Sequence, residues 1–334
     1  MDIIMITPAA PGSKAGNRAT AERWQALLEQ AGHKISIVTA YHGEPCDLFL
    51  ALHAWRSHEA VRLFRETWPG KPLVVALTGT DIYLHQPQYP EQTHYSMQAA
   101  DALIGLHAQV GDDIPGAFRD KLVTLFQSAD RPTGQSGKVF SESPYFDICV
   151  IGHLRAEKDS LRAAKAARRL PADSRIRVSC AGKAHNEHWE SLANQELKEN
   201  PRFRWLGELE KTDVAKLMAE SRLLVMSSVM EGGANVVSEA CRAGLPVIAS
   251  DISGNTGLLG EDYRGYYPVG DTQALAKVLE RAENDSRFLE QLREHVGQLA
   301  SRFTPEKELE SLEQRLHSQC SAAPGKTLKL TLLT

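Results

Sequence analysis

Two hydrophobic patterns alternate along the chain. Short apolar, β-branched runs with the length of a buried strand occur at 2–7 (DIIMIT), 34–39 (KISIVT), 47–52 (DLFLAL), 72–79 (PLVVALTG) and 101–107 (DALIGLH). Between them lie stretches whose apolar residues recur every three or four positions. Examples are 17–32 (NRATAERWQALLEQAG), which Gly32 stops, and 57–68 (SHEAVRLFRETW). That spacing predicts amphipathic helices. Strands alternating with helices predict βαβ units and a parallel sheet.

The alternation lapses at 131–146 (RPTGQSGKVFSESPYF), where Pro, Gly and Ser mark a linker, and then resumes. Further strands are expected at 147–153, 175–182, 203–207, 222–228 and 246–250, with helices at 160–170, 186–198 and 213–221. Beyond Asp271 the pattern is helical to about Ser318, and the tail 319–334 has no helical period. The expected fold is α/β: two doubly wound, Rossmann-like domains facing each other across a cleft. The boundaries are 1–135, 136–300, a helix at 301–318 that packs back on the first domain, and the tail. In such sheets ligands sit beyond the carboxyl ends of the strands, so the loops after strands carry the functional residues.

The length of 334 residues suits two domains, and the formal net charge of −4 argues against non-specific binding of nucleic acid or an acidic membrane. No apolar run approaches the ~20 residues of a membrane span. The start, MDIIMITPAAPG, lacks the basic opening of a signal peptide. Cys46, Cys149, Cys180, Cys241 and Cys320 form no CxxC pair; reduced, mostly buried thiols in a cytoplasmic protein are expected.

Three loops carry candidate chemistry. In 229–240 (VMEGGANVVSEA), small residues join a strand to a helix, with Glu231 before the helix and Glu239 within it, about two turns along. Small residues permit close backbone approach, and a helix opening near Gly233 presents unpaired amides suited to phosphate. Carboxylates accept hydrogen bonds from sugar hydroxyls, so a ligand with both groups fits; a glycine-assisted packing turn fits about as well. At 151–159 (IGHLRAEKD), Arg155 and Lys158 follow a strand and suit a leaving diphosphate, or a solvated helix start. At 8–20 (PAAPGSKAGNRAT), Lys14, Asn17 and Arg18 stand where a helix opens, which suits a small anion. His53, Arg56 and Ser57 also follow a strand, where Ser57 reads equally as a helix cap.

GHLRAEKD, EGGANVVSEA and GLPVIAS, in this order, resemble the C-terminal half of GT-B glycosyltransferases, in the large retaining group with glycogen synthase-like and mannosyltransferase enzymes. The resemblance implies a nucleotide-diphosphate sugar donor. Glu239 would hold the ribose, Glu231 the sugar hydroxyls, and Lys158 the diphosphate. The amides of Gly233, Ala234 and Asn235 would meet sugar and phosphate. The family's arginine falls at His153, with Arg155 as the substitute cation, and Gly16 occupies the family's N-terminal glycine position; all three are assigned to the donor side. In 77–83 (LTGTDIY), Thr78 replaces the histidine of a His-Gly-x-Asp pattern; Thr80 and Asp81 are assigned to the acceptor side with Lys14, Asn17 and Arg18.

The stretches TPAAPGSKAGNRATAERW, ALHAWRSHEAVRLFR and PLVVALTGTDIY, added to the two motifs, are similar to the selenosugar synthases of selenoneine biosynthesis. That resemblance implies UDP-N-acetylglucosamine and selenophosphate as small-molecule substrates, with Arg18, Lys158 and Glu231 as the catalytic set. No cofactor is expected, UDP-sugar being a substrate. With no D-x-D motif, metal-bridged donor binding is not expected, and HNEH at 185–188 lacks HExxH spacing. A G-x-S-x-G elbow and a G-x-G-x-x-G turn are both missing from the sequence, which sets aside a serine hydrolase and a dinucleotide oxidoreductase. The alternatives are a hexosyltransferase acting on a hydroxyl, a UDP-sugar epimerase, and a nucleotide-sugar sensor without catalysis.

Overall fold

The computed structural model describes residues 1–131 and 143–321. The linker read at 131–146 and the tail at 319–334 lie largely outside the described residues, as does the side chain of Cys320. The chain divides into two compact units. One combines Met1–Gln127 with the chain from Pro305 onward, and the other is Ser128–Thr304.

The first unit is built on a parallel sheet of β1 (Asp2–Ile6), β2 (Lys34–Val38), β3 (Leu48–Leu52), β4 (Leu73–Leu77), β5 (Ala102–Gly105) and β6 (Leu122–Thr124), in the order β2-β1-β3-β4-β5-β6. LFLAL and LVVAL in β3 and β4 are buried throughout, as central strands covered on both faces must be. Their side chains alternate between two cores. Phe49, Ala51, Val75 and Leu77 join Val61 and Phe64 of the helix His58–Thr67. Leu48, Leu50, Leu52, Val74 and Ala76 join Trp24 and Leu28 of the helix Gly16–Gln30, and Leu312 and Leu316 of the helix Pro305–Ser321. Buried Glu308 fixes that last helix by accepting from Trp24 Nε1 (2.7 Å) and Arg23 Nε (3.0 Å).

The second unit repeats the plan with β7 (Phe146–Ile151), β8 (Ile176–Ala181), β9 (Phe203–Trp205), β10 (Leu223–Met226), β11 (Val247–Ser250) and β12 (Tyr266–Tyr267), in the order β12-β11-β10-β7-β8-β9. In each sheet the chain first grows one way and then reverses, between β1 and β3 and between β7 and β10. Such switch points open a crevice at the strands' carboxyl ends.

The strands β6 and β12 are too short to show an alternating pattern, and sequence reading missed both. It also missed the helix Pro90–Ala99 and the helix Ser253–Leu259. The helical run after Asp271 is three helices. Asp285 caps the second by accepting from Phe288 N–H (3.0 Å), and Pro305 opens the third. Cys46, Cys149, Cys180 and Cys241 are buried; burial raises Cys46 to about 11 and Cys180 and Cys241 to about 12. Among the described residues no helix is long and apolar enough to cross a membrane.

Candidate active site

Each unit gathers polar residues at its own switch point. In the second unit, β7 ends at Ile151 and the chain passes through Gly152 (φ +154°). Gly182, after β8, approaches so closely that a Cβ there would lie 2.0 Å from the Gly152 carbonyl oxygen. Arg155 is extended, a 3-10 turn covers Ala156–Lys158, and Asp159 reverses the chain at φ +43°. This turn is tied to the end of β10: Ser227 Oγ donates to the Asp159 carbonyl (2.9 Å) and Val229 N–H to that of Glu157 (2.9 Å).

Lys158 is thereby delivered to Glu231, with Nζ 2.5 Å from Oε1. Ser228 Oγ donates to the same oxygen (2.5 Å). Glu231 is 7% exposed and Lys158 21%. The pair therefore neutralises two charges that would be costly to enclose singly. One carboxylate oxygen carries both bonds; Oε2 takes no hydrogen bond from the described residues. The site therefore holds an oriented acceptor oxygen beside an ammonium with donors to spare, a combination that suits sugar hydroxyls next to phosphate.

Sequence reading missed the scaffold behind Glu231. Ser250 Oγ donates to the Ser228 carbonyl (2.5 Å), and buried Asn255 donates to the Ser250 carbonyl (2.9 Å). A Cβ at Gly254 would lie 2.3 Å from the Glu231 carbonyl oxygen, so this helix starts against the acid itself. Gly254 in DISGN was the available signal. The next helix spans Asn235–Ala243; Ala234 offers it no side-chain cap, and Gly244 closes it at φ +63°. Gly233, Ala234 and Asn235 form its entry, as read. Glu239 is its fifth residue, one turn in and not two, and half-buried. Half-buried His153 sits just after Gly152, its carbonyl accepting from Ser160 Oγ (3.2 Å), while Arg155 faces Glu157 (3.8 Å).

In the first unit, exposed Lys14 lies in the loop after β1, and exposed Gly16 and half-buried Asn17 and Arg18 open the helix that follows. Arg18 is already engaged, with Nε 2.6 Å from Glu22 Oε1. A Cβ at Gly16 would meet nothing within 4 Å. The assignment of Asp81 to direct acceptor contact needs correction. Asp81 is fully buried, and its carboxylate accepts from the amides of Ala54 (2.9 Å), Thr78 (3.0 Å) and Gly79 (2.7 Å). A carboxylate so enclosed and occupied clamps the loops after β3 and β4 and does not reach a ligand. Thr80 is half-buried, and its Oγ1 lies 3.0 Å from His53 Nε2. Burial, the dominant cause, pushes His53 down to about 4.

Comparison with known proteins agrees with this architecture. The model of the family "Glycosyl transferases group 1" matches residues 135–302. No curated protein matches. Among solved structures, Anabaena HepE in complex with UDP and glucose superposes with a TM-score of 0.74 at 17% identity, covering 95% of this chain and all (100%) of that one. Sucrose-phosphate synthase of Thermosynechococcus elongatus gives 0.76 at 15% identity, with 96% and 99% covered. The outer-core galactosyltransferase WaaB gives 0.68 at 12%, with 96% and 100% covered. The fold is therefore GT-B, and with half its length matched to the family model, the chain belongs to the group 1 glycosyl transferases.

Proposed function

We propose that this enzyme transfers the sugar of a UDP-sugar, UDP-N-acetylglucosamine, to selenophosphate. The observation that carries the donor half is the Lys158–Glu231–Ser228 arrangement at the second switch point. Glu231 Oε2 takes sugar hydroxyls, Lys158 and the amides entering Asn235–Ala243 meet the diphosphate, and Glu239 holds the ribose. UDP bound to HepE, and UDP-glucose in another HepE complex, support that class of donor. The acceptor half rests on the likeness to selenosugar synthases across both units and on the cationic loop Lys14–Arg18. A selenium lone pair attacks the anomeric carbon, the bond to the UDP oxygen breaks, and UDP leaves with its electron pair. Water then cleaves P–Se, releasing phosphate and a 1-seleno-sugar. Selenophosphate is a strong nucleophile and needs no dedicated base.

Mass spectrometry of UDP-N-acetylglucosamine with enzymatically generated selenophosphate tests this. A sugar product with the selenium isotope pattern is expected. Transfer to hydroxyl acceptors alone, or isomerised UDP-sugar without acceptor, overturns it. The hydroxyl alternative has one observation in its favour: Trp55 stacks on His85 (4.1 Å) and Tyr89 (4.7 Å) near the first switch point, an aromatic surface suited to a sugar.

A further inference from the structure

We propose that Thr80 donates a hydrogen bond to a phosphoryl oxygen of the acceptor, and that His53 is the residue that positions it. This rests on the selenophosphate reading above. Arg56 N–H lies 3.1 Å from His53 Nδ1, and a backbone amide can only donate, so Nδ1 is the bare nitrogen. Full burial keeps the ring neutral. Its one proton is then on Nε2, directed at Thr80 Oγ1. Thr80 must accept from His53, and its own hydroxyl proton is turned away toward another acceptor. The only side-chain hydrogen bond of Thr80 among the described residues is the one from His53.

The backbone supports a functional role for this pair. His53 follows β3 directly and sits at φ +78°, the left-handed region that a non-glycine residue adopts at a cost. Thr80 leads into a π-helical turn, Asp81–His85, a local distortion that recurs at functional sites. Thr78 Oγ1, two residues earlier, is enclosed without a hydrogen-bond partner among the described residues. All of this lies at the carboxyl ends of β3 and β4, beside β1 and the loop that carries Lys14 and Arg18. A fixed hydroxyl donor at a crevice that also presents cations suits an oxyanion, and phosphoryl oxygens supply acceptors only.

Steady-state kinetics with UDP-N-acetylglucosamine and selenophosphate test it. Thr80→Val should raise the KM for selenophosphate about tenfold or more, as for a lost hydrogen bond to a charged group. Calorimetric affinity for UDP should stay unchanged, which also shows that the variant is folded. Thr80→Ser should restore the wild-type KM. His53→Asn tolerates φ +78° and can cap the Arg56 amide, but is too short to reach Thr80; it should reproduce the Thr80→Val defect. The double variant should be no worse than either single. Additive losses overturn the positioning role, and an unchanged KM in Thr80→Val overturns the contact while leaving the proposed function intact. A wild-type enzyme that never uses selenophosphate overturns both.

Discussion

The two units bring loops to the same place on similarly reversed sheets, but hold them by opposite means. At the second switch point the fastening is ionic: Lys158 and Glu231 pair, with serine hydroxyls behind them. At the first, beside the Asp81 carboxylate and its amide donors, it runs through neutral histidines. His53 donates to Thr80, His85 Nδ1 donates to the Thr80 carbonyl (2.8 Å), and His107 Nε2 meets Tyr83 Oη (2.8 Å), whose hydroxyl donates to Asp113 (2.8 Å). Three histidines thus hold one turn, Asp81–His85, and burial keeps each below the usual histidine range. Buried histidines held neutral make folding compete with protonation of the unfolded chain at mildly acidic pH.

The largest effect expected from this contrast is acid lability confined to the first unit. Burial lowers His53 and His107 from 6.5 to about 4; around His53, Asp81 opposes the shift while Arg56 and His85 add to it. The unfolded chain binds more protons between these values. Stability is therefore fully present above pH 6.5 and falls as pH drops toward 4. At pH 5 each histidine should cost about 2 kcal/mol, or about 4 together. Hydrogen exchange at pH 7.5 and 5 should show protection lost around β3, β4 and β5 while β7 and β10 keep theirs. Equal loss in both units would remove the distinction.

Next in size is the loss of the ionic fastening. Glu231→Ala should lower kcat by about 10²–10³-fold, the scale for a preorganised electrostatic contact. It leaves Lys158 enclosed without its partner, so Lys158→Ala added to it should cost little more. Normal turnover of UDP-sugar by Glu231→Ala would end the donor assignment.

The same contrast explains what was legible beforehand. Glu231, the small residues 232–234 and Glu239 fall within nine positions, so a local motif exposed them, and the motif at 151–159 supplied Lys158. Alternating strands such as LFLAL and LVVAL made the parallel sheets readable. The histidine clamp was not readable, because His53, Thr80 and His107 meet only after folding, and the strained φ of His53 has no sequence signature. Asp81 was misassigned for a related reason: its residue type fits a ligand contact, and only burial and three amide donors show that it is spent on the loops.

A smaller effect separates two glycines. Gly254 touches the backbone of Glu231, so Gly254→Ala must push the helix Ser253–Leu259 away by more than a side chain can yield. A cost of about 1–3 kcal/mol is expected, the range for overpacking, along with a weaker affinity for UDP-sugar. Unchanged thermal stability would show that this helix shifts freely and does not brace the acid.

Gly16 should behave in the reverse way, and with the smallest effect on stability. It is exposed, opens the helix Gly16–Gln30, and apart from its chain neighbours and its own helix backbone has no protein atom within 4 Å of the position a methyl would take. Alanine suits a helix better than glycine and narrows the unfolded ensemble, so Gly16→Ala should gain a few tenths to about 1 kcal/mol. Nothing inside the described protein asks for glycine here; a substrate that approaches the backbone would. The expected signature is therefore a variant with a raised Tm and a raised KM for UDP-sugar. If Tm rises and both KM values stay put, Gly16 serves no substrate. The first switch point then acts through Thr80 and the cationic loop alone, which widens its contrast with the second, where Gly254 is held by the protein itself.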